Sequence, residues 1–139
     1  PVISAPISAN VDEDNTLILT QADLLANSSD IDGDTLTASN VQVNGGDATV
    51  VDNGDGTYSV TPSENFFGDI DLTFDVSDGT STVSSSIDLN IASVNDAPVI
   101  SAPISASVDE DNTLILTQAD LLANSSDIEG DTLTASNVQ

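Results

Sequence analysis

In the segment IDLTFDVSDG, residues 70–79, apolar and polar side chains alternate without interruption from Ile70 to Ser77. Its large apolar residues stand at every second position: Ile70, Leu72, Phe74 and Val76. Because successive side chains of a β-strand point to opposite faces of the sheet, this period predicts a strand with one face buried and one face in water. The Asp-Gly pair that ends the segment is typical of a tight turn.

Six further strands are predicted on both sides of this one, with turn-forming residues between them. They cover residues 1–11, 16–20, 36–43, 48–51, 57–61 and 83–92. The apolar phase changes near Ser39-Asn40, which predicts a bulge. Thr20 and Asp23 have the spacing of a helix capping box. Seven short strands with no sustained helical period predict an all-β fold, an immunoglobulin-like β-sandwich.

The chain also repeats itself. Residues 1–42 recur as residues 98–139 with two differences: Ser107 stands in place of Asn10, and Glu129 in place of Asp32. The offset of 97 residues is the size of a small β-sandwich. We therefore predict a tandem array, with one full repeat in residues 1–97. Residues 98–139 would form the first three strands of a second, near-identical repeat.

The charge of the chain is unusually one-sided. It carries 24 acidic residues and no Lys, Arg or His, which gives a formal net charge of −24. No side chain can neutralise a phosphate, so nucleic acid and anionic membrane surfaces are excluded as partners. No segment is apolar and long enough for membrane insertion. Self-repulsion on this scale predicts that cations screen the folded chain, as counterions in salty water, as bound metal ions, or as both.

The acidic residues are expected to collect at the two ends of the sandwich. At the trailing end, where the chain leaves the repeat, turn residues would meet those of the linker (residues 93–98) and of the next repeat. Calcium prefers such clusters of carboxylate and amide oxygens. We predict Ca²⁺ at this junction, with these ligands: Glu13, Asp14, Asp69, Asp71, Asn95, Asp96, Asp127, Glu129 and Asp131. At the leading end, where the chain begins the repeat, a half-site is predicted: Asp30, Asp32, Asp34 and Asp78.

Several motifs resemble those of a known family. Residues 93–98 resemble the cadherin linker D-x-N-D-N-x-P, except at Ser93 and Ala97. The whole repeat resembles the cadherin-like extender domains of giant bacterial surface adhesins of the RTX type. The matching segments are VNDAPV (94–99), ED (13–14), DLLAN (23–27), DIDGDTL (30–36), DGTYSVTP (55–62), NFFG (65–68) and VSDG (76–79).

This resemblance implies a cadherin-like β-sandwich in an extracellular protein of the cell surface. It implies that calcium makes the array rigid and that the module is a spacer whose partners are neighbouring repeats of the same chain or fibre. The target that such a protein adheres to is not implied.

Two alternatives remain open, and a third is disfavoured. Residues 98–139 duplicate strands that complete residues 43–97, so neighbouring chains could exchange strands and build a fibre. The repeat could also be a ligand-binding adhesin domain, although it has only one Tyr and three Phe residues. An enzyme is not predicted, since the chain has no His, Cys, Lys or Arg beside its carboxylates.

Overall fold

The computed structural model describes residues 1–139, which form a first unit, Pro1–Val94, and a second unit, Asn95–Gln139. The strands of the first unit are β1 (Val2–Ile3), β2 (Ile7–Asp12), β3 (Leu17–Leu19), β4 (Ser28–Ser29), β5 (Thr37–Gly45), β6 (Ala48–Asp52), β7 (Tyr58–Pro62), β8 (Gly68–Ser77) and β9 (Thr82–Ala92). One short helix, α1 (Gln21–Leu24), follows β3. The second unit contains β10 (Val99–Ile100), α2 (Gln118–Leu121) and β11 (Ser125–Ser126). Neither helix is long enough to cross a membrane.

The first unit is a sandwich of two sheets, which confirms the predicted all-β fold. One sheet has the order β2-β9-β8-β5 and the other β3-β7-β6, while β1 and β4 form a separate pair. The inward residues of β8 are those of the alternating segment, and all are at most 1% exposed. They pack with Leu19 and Val60 from the opposite sheet and with Leu24 of α1 in one core. Its outward residues are polar, so this sheet is buried on one face only.

The first predicted strand is divided. Residues 1–11 do not form one strand: β1 pairs with β4, whereas β2 pairs in parallel with β9. The break falls at Pro6, which has no N–H for a ladder. Asn27 uses its side-chain amide instead, donating to the carbonyls of Ala5 at 3.3 Å and Pro6 at 3.0 Å. This corner moves the chain from one pairing partner to the other.

Two local predictions are confirmed in the same unit. The register of β5 against β8 shifts between Ser39 and Gln42, where Asn40 has a φ of 58°. Asparagine tolerates this left-handed conformation better than most residues. The capping box is also present, with the Thr20 and Asp23 side chains each bonded to the other's backbone N–H. It begins α1, which turns the chain from β3 toward β4.

The second unit corrects one expectation. Of the three strands predicted in residues 98–139, only β10 forms, and it pairs with β11, which lies in the predicted polar loop. The helix α2 and its capping box are also present. The counterparts of β2, β3 and β5 stay unpaired. In the first unit those strands pair with β9, β7 and β8, and residues 98–139 contain no counterpart of these three. Pairing within residues 98–139 therefore forms, and pairing that needs the counterparts of β7, β8 and β9 does not.

Candidate metal centre

Glu13 is the buried acidic residue of the first unit. It directly follows β2 and is only 2% exposed. Its N–H donates to the carbonyl of Ala92 at 2.8 Å, and its Oε1 accepts the N–H of Val94 at 2.5 Å. Its Oε2 is buried without any hydrogen-bond partner. A buried carboxylate oxygen without a partner is costly, and a bound cation would remove that cost.

The parallel pairing of β2 and β9 explains this position. Asp12 lies opposite Ala92, so both strands reach the trailing end together, and the next residue of the turn meets the chain as it leaves. Asp14 has a φ of 59° in this turn, and its Oδ1 accepts the N–H of Asn65 at 2.9 Å. The turn after β2, the loop before β8 and the departing chain are therefore adjacent, as the predicted topology requires.

Asp69 and Asp71 lie elsewhere, on the exposed face of β8. Asp69 Oδ1 accepts a hydrogen bond from Asn90 at 2.9 Å, and Asp71 is opposite Asp88 on β9. Nowhere in residues 1–139 do three or more acidic side chains converge as a metal-binding group. The role of these residues as calcium ligands stays a prediction.

At the leading end, two of the four predicted residues meet at one positive group. The terminal ammonium of Pro1 lies 3.1 Å from Asp30 Oδ2 and 3.4 Å from Asp78 Oδ2. Asp32 and Asp34 are exposed, and they contribute their backbone N–H groups to Asp30 Oδ1 at 2.9 and 3.2 Å. Asp30 therefore organises this loop, and Asp78 joins it from the turn between β8 and β9.

The hydrogen bonds at this end keep both carboxylates ionised. The pKa of Asp30 is lowered, first by the N–H of Asp34 and then by the Pro1 ammonium. The pKa of Asp78 is lowered by the N–H groups of Ser81 and Thr80, which both donate to its Oδ1 at 2.7 Å. The pKa of the ammonium is raised, chiefly by its hydrogen bond to Asp30. Asp30 and Asp78 are thus both negatively charged at this end of the first unit.

The second unit contains a second glutamate of the same kind. Glu129 Oε2 accepts the N–H of Asp96 at 3.0 Å, and its Oε1 is buried without a partner. Asp127 Oδ1 accepts the N–H of Asp131 at 3.0 Å, and the Asn95 side chain donates to the carbonyl of Asp96. Each unit therefore contains one glutamate, Glu13 or Glu129, whose first carboxylate oxygen accepts a hydrogen bond from a linker N–H and whose second oxygen has no hydrogen-bond partner.

These donors fit a hard cation. The free groups are carboxylate oxygens, and the chain has no His or Cys to attract a softer metal. The sequence predicted the acids but missed the amides of Val94, Asp96 and Asn65, which decide which oxygens remain free. A backbone N–H carries no sequence signal, so only the fold could reveal these partners.

Comparison with known proteins gives a family and several similar structures. The endo-fucoidan hydrolase MfFcnA4 of glycoside hydrolase family 107 is 24% identical, with a TM-score of 0.47 over 75% of this chain and 16% of that one. The endo-fucoidan hydrolase MfFcnA9 is 23% identical, with a TM-score of 0.39 over 65% of this chain and 15% of that one. Tandem Ig repeats of Dlar are 16% identical, with a TM-score of 0.30 over 70% of this chain and 50% of that one. The chain thus spans about a sixth of the length of these hydrolases, and no curated protein matches it.

The family match covers nearly the whole chain. The sequence model described as "Cadherin-like domain" matches residues 1–92 and again residues 94–139. The sandwich of the first unit agrees with the first match. The chain therefore belongs to the cadherin-like domain family.

Proposed function

We propose that this chain is a calcium-stabilised spacer from a long repetitive surface adhesin of bacteria, without enzymatic activity of its own. The observation that carries the proposal is the buried, unpartnered oxygen on each of two glutamates, Glu13 and Glu129. The other oxygen of each glutamate holds a linker amide. Cadherin-like domains generally bind calcium and are typically extracellular, which supports the proposal.

Calcium would bind to Glu13 at the trailing end of one repeat and to Glu129 at the leading end of the next. In the first unit Asp14 would supply further oxygens next to Glu13, and in the second unit Asn95, Asp96 and Asp127 would supply them to the ion at Glu129. The bound ion would supply positive charge to a chain whose formal charge is −24. Because each free oxygen belongs to a side chain that already holds the linker, binding would also restrict the linker's motion. A restricted linker is what a spacer requires.

The first test is a thermal melt of the full chain in calcium and in chelator. Extracellular calcium modules bind with a Kd of roughly 10⁻⁴ to 10⁻³ M. At about ten times the Kd, calcium would add about 1.4 kcal/mol per site to the free energy of unfolding. For a domain of this size we expect a rise in Tm of about 5–10 °C. Identical Tm values in calcium and chelator would contradict the proposal.

A second candidate function is a fibre in which chains exchange strands. Residues 104–116 lie outside any strand, and their apolar side chains are exposed, including Ile115 at 79%. The near-identical residues 7–19 of a neighbouring chain pair with β9 and β7, so residues 104–116 could replace them. Each chain has one set of acceptor strands, β7 and β9, and two segments that can pair with them, residues 7–19 and 104–116. Strand exchange therefore replaces one paired segment by another and adds no new strand pair. It would need high concentration.

Light scattering across a concentration series tests the second candidate. A mass that rises with concentration, in chelator as well as in calcium, would support strand exchange. A constant monomer mass would contradict it and would leave the spacer as the function of this chain.

A further inference from the structure

The two copies of the repeat differ at one position of an otherwise identical loop. This loop is DIDGDTL in residues 30–36 and DIEGDTL in residues 127–133. Its first aspartate organises both versions: Asp30 Oδ1 accepts the N–H of Asp34, and Asp127 Oδ1 accepts that of Asp131. The middle acid, Asp32 or Glu129, is not the acceptor that holds the loop. Its side chain is therefore free to serve another role.

In the second copy this side chain reaches the linker. Glu129 Oε2 accepts the N–H of Asp96 at 3.0 Å, across 33 residues of sequence. An aspartate at this position would be shorter by one methylene, or about 1.5 Å. Since N–H···O hydrogen bonds span about 2.7–3.2 Å, the shorter carboxylate would lose the amide unless the loop moved. The added methylene is therefore what makes the contact possible.

We propose that residue 129 sets how firmly a repeat holds the linker in front of it, with glutamate clamping Asp96 before any metal binds. An aspartate, the residue at the equivalent position 32, leaves that amide free. The clamp fixes Asp96 and aims the second oxygen of Glu129, Oε1, which is buried and unpartnered. One consequence rests on the proposed function. A repeat with glutamate would bind calcium more tightly, because part of the entropy cost of ordering the linker is already met before the ion binds.

Amide hydrogen exchange in chelator tests the clamp without calcium. Glu129→Asp retains the charge and loses the reach, so exchange at Asp96 should accelerate about tenfold, as expected for one hydrogen bond to a charged group. Glu129→Gln retains the reach and an acceptor oxygen but loses the charge, so its exchange rate should fall between those of the parent chain and Glu129→Asp. The amide of Val94, held by Glu13, is an internal reference that neither substitution should change.

Ser107→Asn is the matched control, because it converts the second copy to the first at the other differing position. Exchange at Asp96 should be unchanged in this variant. Equal exchange rates in the parent chain and Glu129→Asp would overturn the clamp, as would equally fast exchange in Glu129→Asp and Glu129→Gln.

Calcium titration of the same variants separates the clamp from the proposed function. Suppose that neither the parent chain nor any variant binds calcium, while the Asp96 amide still exchanges faster in Glu129→Asp than in the parent. The clamp is then supported, and the proposed calcium-stabilised spacer is contradicted. If the parent binds calcium, we expect Glu129→Asp to bind several-fold more weakly, with Ser107→Asn at the parent value. Equal affinity in Glu129→Asp and the parent would overturn the preorganising role of the clamp.

Discussion

Glu13 divides its carboxylate between two roles, and substitution can separate them. Its Oε1 holds the Val94 amide, whereas its Oε2 is buried and free. Glu13→Gln keeps an acceptor for Val94 and removes the charge, so we expect the calcium-induced rise in Tm to be largely lost. Glu13→Ala loses both roles and should also lower the free energy of unfolding in chelator by about 1–3 kcal/mol.

Asp88→Asn is the control for Glu13→Gln. Asp88 is exposed on β9, where it lies opposite Asp71, so this substitution removes the same charge without changing Glu13 or the linker. Its calcium-induced rise in Tm should equal that of the parent. A full calcium response in Glu13→Gln would show that the free oxygen of Glu13 binds no ion.

The capping box gives a pH-dependent prediction at the same scale. The pKa of Asp23 is lowered by the Thr20 hydroxyl and then by the Thr20 N–H, which its carboxylate accepts at 2.6 and 2.9 Å. A lowered folded-state pKa gives stability that is present above the unfolded pKa, about 3.9, and lost as the pH falls through the folded pKa. The parent should therefore exceed Asp23→Asn in stability at neutral pH, and this difference should shrink in acid. Urea unfolding at both pH values measures it, and a difference independent of pH would be contrary to this account.

At the scale of elements, Asn27 connects β1 to β2. Its side-chain amide donates hydrogen bonds to the carbonyls of Ala5 and Pro6, and its backbone carbonyl accepts a hydrogen bond from the N–H of Ser4. Asn27→Ala leaves two carbonyls without this donor and should lower the free energy of unfolding by about 1–2 kcal/mol. Asn53→Ala, in the exposed hairpin between β6 and β7, is the control and should cost less. Equal costs would remove the special role assigned to Asn27.

Strands with local signals were predictable, and contacts between distant segments were not. The alternation in residues 70–79 fixes the inward face of β8 because a strand has a period of two. The division of residues 1–11 depends on Asn27, which is distant in sequence and reads as an ordinary loop residue. The unpaired segments of residues 98–139 show the same limit, because alternation predicts a strand only where a partner strand exists. At the candidate site, acid clusters were visible, but the amides that leave one glutamate oxygen free were not.

At the scale of the whole molecule, a charge of −24 without a single basic side chain opposes compaction. Monovalent salt should relieve part of this repulsion by screening, since the Debye length falls from about 30 Å at 0.01 M to about 10 Å at 0.1 M. We therefore expect Tm to rise with NaCl even in chelator. Calcium at the same ionic strength should raise Tm further, because a bound ion also satisfies the buried oxygens of Glu13 and Glu129.

Paired melts in NaCl and CaCl₂ at matched ionic strength separate these two effects. The additional rise with calcium should saturate with concentration, as site binding does, whereas the screening effect should continue without a plateau at the same concentrations. In Glu13→Gln the saturating part should shrink and the screening part should remain, since one charge in 24 changes the overall field little. Equal Tm values at equal ionic strengths of the two salts would contradict site binding of calcium. The acidic residues would then act only as a diffuse charge, and only the hydrogen bonds of Glu13 and Glu129 would order the linker.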